Sequence, residues 1–77
     1  MAWLKYSDNG IVNLDKITNI HVREADTYRW AIYLHDGGNN TYHSKIYSSW
    51  DECMKDFNVL MEYLEDGAQF IDMTNLL

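Results

Sequence analysis

The sequence has a single cysteine, Cys53, so no disulfide closes within the chain. None of the spacings between that cysteine and the histidines matches a zinc site. Positive charge is scarce. Six Lys and Arg stand against twelve Asp and Glu, a formal net charge of -6. That balance argues against a protein that grips a phosphate backbone by charge, and it suits one aimed at a basic partner. Long apolar runs are missing too. The opening "MAWLKYSDNG" is too polar for a signal peptide, and no stretch is long enough to span a bilayer. The expectation is a cytoplasmic protein with no membrane contact. No repeat, low-complexity stretch or linker divides the chain, so residues 1–77 read as one domain. A chain this short builds one small core with little stability to spare, and a homodimer is one way to add support. No catalytic, cofactor or metal signature is present. The residues imply a non-enzymatic protein.

What is there is strong patterning. Residues 2–47 read as strands, 49–66 as a helix and 67–77 as a tail or a short last strand. In "WLKYSDNGIVNL" a three-residue loop, Asp8-Asn9-Gly10, pairs Leu4 with Leu14 and Tyr6 with Val12. It makes one face apolar and sets Gly10 in the left-handed region of a bulged turn. "TNIHVRE" and "RWAIYLH" alternate strictly, with Ile20, Val22, Trp30, Ile32 and Leu34 on one face. In "TYHSKIY" the same alternation turns Tyr42, Ser44 and Ile46 inward. Ser49 and Glu52 form a capping box ahead of Trp50, Cys53, Met54, Phe57, Leu60, Met61 and Leu64 at helical spacing. Gly67 sits where a C-terminal cap belongs. The fold class implied is α+β: an antiparallel meander of five strands, or six with the tail, carrying one C-terminal amphipathic helix on its apolar face.

Two surfaces are candidates for contact. The outer sheet face gathers His21, Arg23, Arg29, Tyr33, His35, His43, Lys45 and Tyr47. A meander would set Tyr33 between Asn19 and His43, and Arg29 between Arg23 and Tyr47. Aromatics interleaved with cations on a sheet can stack the bases of single-stranded nucleic acid or bury against a second copy of the chain. The bland alternative is that one side of a sheet must be polar, and these residue types suit it. The second surface is the solvent side of the helix. There Glu52, Asp56, Glu62 and Asp66 ring the pair Val59 and Tyr63, which lies opposite the apolar stripe. Tyrosine in an acidic ring is a fitting anchor for a basic protein partner, unless the tail folds over the pair.

"WLKYSDNGIVNLDKITNI" resembles the opening of small bacterial and phage proteins in which an "IVNLD"-type hairpin precedes a sheet and one acidic helix. In size and acidity the chain is also similar to phage anti-defence proteins, including anti-CRISPR inhibitors. These resemblances imply a phage-encoded inhibitor whose carboxylates occupy a basic, nucleic-acid-binding site on a host protein. A nucleic-acid-binding module and a structural homodimer, both using the outer sheet face, are the other readings.

Overall fold

The computed structural model describes residues 1–76. In chain order the elements are β1 (Trp3–Ser7), β2 (Gly10–Asn13), a 3-10 turn (Leu14–Lys16), β3 (Ile17–Asp26), β4 (Arg29–Asp36), β5 (Thr41–His43), α1 (Trp50–Glu65) and β6 (Phe70–Asp72). The class is α+β, as the alternating and helical periods require. The strands do not form the expected five-stranded meander. They make two three-stranded sheets, ordered β2-β1-β6 and β3-β4-β5. The division falls at Leu14–Lys16. The Asn13 side chain accepts from the Asp15 backbone N–H at 3.0 Å and caps this short turn. Such local capping competes with strand pairing and re-aims the chain, so β3 opens a second sheet. The tail supplies the third strand of the first sheet. There β6 runs parallel to β1, with Leu4 beside Ile71.

The first hairpin pairs Leu4 with Val12 and Ser7 with Gly10, with an irregularity between Lys5 and Ser7. The expected register was two residues off, and Leu14 lies in the 3-10 turn instead of opposite Leu4. The faces survive because a slip of two preserves side-chain alternation. Gly10 is not left-handed. Its requirement is steric: a Cβ there would run into the Tyr6 ring. In the second sheet β3 and β4 pair His21 with Tyr33 and Val22 with Ile32, turning at Thr27-Tyr28. This register also differs by two from the expected one, so Tyr33 faces His21 rather than Asn19. Tyr28 takes a φ of 61° in the turn.

After His43 the strand departs from strict alternation. The Ser44 hydroxyl accepts from the Ile32 backbone N–H at 3.0 Å, the place a main-chain carbonyl would hold in a regular ladder. It also donates to the Lys45 carbonyl at 2.8 Å. The chain resumes with Tyr47 bridging Trp30. Ser44 lies across from Ile32 and Tyr47 across from Trp30, so the chain has taken up one extra residue, and that inverts the pleat. Tyr47 therefore enters the core and Ile46 faces out, the reverse of the expected alternation.

The helix keeps its predicted ends. The Ser49 hydroxyl accepts from the Glu52 N–H at 3.2 Å, and Gly67 adopts a φ of 72° past the last turn. Its buried side is rotated from the expected stripe. Cys53, Asp56 and Leu60 are buried, Phe57 and Leu64 are half-buried against them, and Trp50 is about half exposed at 49%. Leu4, Ile32, Leu34, Leu60, Ile71 and Met73 form the centre of the core between both sheets and the helix. Each such side chain contributes on the order of 1.5–3 kcal/mol by leaving water.

Candidate interaction surfaces

The β3-β4-β5 sheet does bring its outer-face rings together. His21 stacks on His35 with centroids 5.0 Å apart and 10° between planes, and on Tyr33 at 5.9 Å and 17°. His43 leans on Tyr33 at 5.6 Å, and the Arg23 guanidinium lies 5.0 Å from the Tyr33 ring centre. The imidazoles are also held by hydrogen bonds. His21 Nδ1 donates to Asn19 Oδ1 at 2.7 Å, and His43 Nδ1 donates to the Ser44 carbonyl at 2.7 Å. His35 Nδ1 pairs with Thr41 Oγ1 at 3.0 Å. Burial first, then His35 and Arg23, lower the pKa of His21 and favour its neutral form. The rings are thus occupied with one another, whereas a base-stacking platform keeps ring faces free.

Three residues of the expected face lie elsewhere. Arg29 stands opposite Asp26 at the hairpin end, not between Arg23 and Tyr47. Tyr47 is buried at 4% exposure, covered by Lys45, whose ammonium lies 5.2 Å from its ring centre. Lys45 belongs as much to a groove of about 560 Å³ that opens between the two sheets beside Tyr6, Tyr42, His43, Ile46 and Thr74. Among the described residues no three His, Cys, Asp or Glu side chains are grouped as a metal ion would need. Cys53 is buried, and burial together with Asp56 pushes its thiol up to about 11. A thiol so protonated is a poor nucleophile.

The acidic helix side is narrower than its spacing implied. Glu52, Glu62, Tyr63 and Asp66 are exposed. Asp56 is not part of it. Its carboxylate is buried and accepts a 2.7 Å hydrogen bond from the Tyr47 hydroxyl. Val59 is half-buried and packs against the core, so the expected Val59–Tyr63 anchor loses its apolar half. Both shifts share a cause. The inverted pleat delivers a phenol to the helix, and a buried hydroxyl needs an acceptor, so the helix turns Asp56 toward it.

A third surface escaped the sequence reading. On the outer face of β2-β1-β6, Trp3 lies beside Phe70 as its register partner, and Ile11 lies across Lys5. Trp3, Ile11 and Phe70 are 38%, 55% and 56% exposed. The inner face of the same strands holds Leu4, Val12 and Ile71, all buried. Alternation along "WLKY" does assign Trp3 to the outside, and that was the available signal. Its neighbour Phe70 comes from 67 positions along the chain, and only the parallel pairing unites them. No family model, curated protein sequence or solved structure matches the chain. Its chemistry therefore rests on the geometry of these surfaces. Among the described residues no helix is long and apolar enough to cross a membrane.

The acidic end of α1 immediately precedes the strand that carries Phe70. Phe70 follows Asp66 by four residues, so their Cα atoms are at most about 14 Å apart. Glu62 and Glu65 occupy the preceding turn of α1, and no basic residue lies in that last turn. The helix C-terminus adds its own partial negative charge.

Proposed function

We propose that this protein is a non-enzymatic interaction module that docks a basic protein partner. The carrying observation is the exposed Trp3–Phe70 pair next to the acidic end of α1. Large aromatics side by side on a sheet face, still open to water, are the residue type and setting in which binding energy concentrates. Glu62, Glu65, Asp66 and the exposed Tyr63 form a rim suited to Lys- and Arg-rich surface, which speeds encounter and sets orientation. In its finer form the partner is a host nucleic-acid-binding protein whose basic site the carboxylates occupy, and the chain is a phage-encoded inhibitor. The net charge of -6 and the resemblance to phage anti-defence proteins support that form.

The test is affinity capture from host lysate with the tagged protein, beside a Trp3→Ser, Phe70→Ser double variant. The expected result is a basic protein that elutes with salt and is absent from the variant lane. In kinetic measurements with that partner, either single change to alanine should weaken binding by about 2 kcal/mol or more. Circular dichroism establishes that the variant is folded. Undiminished capture by a folded double variant sinks the proposal. Capture of RNA or single-stranded DNA that depends on Arg23 and Tyr33 would replace it with the nucleic-acid reading.

A further inference from the structure

The strand order places β3 at the edge of its sheet, and among the described residues no strand lies on the side away from β4. With ten residues, β3 is the longest strand. Natural edges of this length are usually blunted by proline, inward charge or a covering element. Here the regular part, Asn19 to Glu24, is paired in unbroken register with β4 between an irregularity at either end. It contains no proline or lysine, and the one charge on its Ile20–Val22 face, Glu24, stands at its last position.

Which backbone groups are free follows from the ladder. The N–H of Asp36 donates to the Asn40 carbonyl, and the Ile32 carbonyl accepts from Ser44, so even-numbered β4 residues bond toward β5. Odd-numbered ones bond toward β3, where Tyr33 meets His21 and Ala31 meets Arg23. Alternate residues of a strand turn their N–H and C=O to opposite sides. Ile20, Val22 and Glu24 therefore present theirs to the open edge. Ile20 and Val22 point to the core side, yet remain partly exposed there.

We propose that a second copy of this chain adds to this edge, β3 against β3 in antiparallel sense, with His21 beside the partner's His21 on the two-fold axis. The two copies would then share one six-stranded sheet. Self-complementarity selects this register. On the core side it sets Ile20 against the partner's Val22, and Val22 against the partner's Ile20. On the outer side it sets Arg23 against the partner's Asn19. No like charges face one another. Moving the axis to Val22 puts Ile20 against the partner's Glu24. Moving it to Ile20 puts Val22 against the partner's Thr18. Both lose an apolar pair.

The ring stack of one copy continues into the other through the two histidines. The charged and titratable groups around His21 are His35 and Tyr33 from β4, Arg23 from its own strand, and the partner's His21 and Arg23. Apart from the phenol, all are basic. Protonating His21 places a cation among them. Association is therefore strongest where His21 is neutral and is lost as pH falls through the histidine range. An edge contact of this length buries less than the roughly 1,200 Å² of a stable complex, so it forms at high protein concentration.

Sedimentation equilibrium of the full chain up to about 1 mM, at pH values from about 8 to about 5, tests this. A monomer–dimer equilibrium should weaken about tenfold or more on acidification. His21→Lys should be monomeric at both ends of the range, while His21→Gln should dimerise with little pH dependence. The register has its own readout. Residues facing on a non-hydrogen-bonded antiparallel pair have Cα atoms about 4.5 Å apart, within disulfide reach. His21→Cys should oxidise to a covalent dimer and Arg23→Cys should not, and buried Cys53 stays out of the reaction. A wild-type chain that is monomeric throughout overturns the proposal. So does a dimer indifferent to His21→Lys, or equal cross-linking at positions 21 and 23.

Discussion

The Tyr47 hydroxyl donates a 2.7 Å hydrogen bond to the Asp56 carboxylate, and both side chains are buried. This bond joins the strand irregularity at Ser44 to the rotational setting of α1. Among the described residues no buried side-chain polar atom lacks a partner, so the pair has little slack. Tyr47→Phe would leave a buried carboxylate oxygen dehydrated and unpaired, at about 1.5–3 kcal/mol. Asp56→Asn keeps an acceptor in place and should cost less. Urea unfolding of the two variants checks the order. A Tyr47→Phe variant as stable as wild type would show that water replaces the phenol.

The same contact predicts how the fold responds to alkali. Burial, followed by the hydrogen bond to Asp56 and its charge, raises the pKa of Tyr47 above its ordinary 10.0. Burial, followed by the charge of Asp56, raises that of Cys53 from 9.0 to about 11. Both groups are neutral when folded and ionise more easily when unfolded. Their stabilisation is complete below the unfolded values and declines as pH rises past them. Thermal melts should therefore lose stability from about pH 9, through Cys53 first, and more steeply above about pH 10 as Tyr47 joins. Cys53→Ala should remove the earlier part of the decline and Tyr47→Phe the later. An unchanged profile in the double variant would assign alkaline unfolding to other groups.

The rotated helix separates two large apolar side chains that the helical spacing treats alike. Leu60 is fully buried and Trp50 is 49% exposed. Leu60→Ala should cost about 2–5 kcal/mol, a large share of what a small domain holds. Trp50→Ala should stay within about 1 kcal/mol, since its loss opens no internal cavity. Chemical denaturation with a common m-value measures both. Equal costs would restore the unrotated stripe.

Much of the local structure was legible in the residues. Strict alternation in "NIHVRE" and "RWAIYLH" separated inner from outer faces, and a register error of two left those faces intact. Ser49, Glu52 and Gly67 marked the helix ends because capping is decided within a few residues. The gathering of His21, Tyr33, His35 and His43 on one face was readable for the same reason. What misled was the last stretch of alternation. Ser44 read as one more inward residue of the alternation and it is buried, yet its hydroxyl replaces a backbone partner and the pleat inverts after it. Tyr47 and Asp56 then exchanged the surface for the core.

By itself the sequence determined the α+β class, the α1 limits, the faces of β4 and of β3 from Asn19 to Glu24, and the acidic character of the helix. These follow from periods of two and 3.6 residues and from caps, all short-range properties of the chain. At the irregularity before Asn19 it is Ile17 that packs on the core, and Thr18, expected inward, is exposed. Only the tertiary structure decided the split into two sheets, the rotation of α1 and the union of Trp3 with Phe70. Those depend on which distant segments satisfy one another's hydrogen bonds. The tail fills the open edge of β1, and a buried phenol draws a carboxylate from the opposite layer. No local pattern carries that information, because each partner is specified only by what the other leaves unsatisfied.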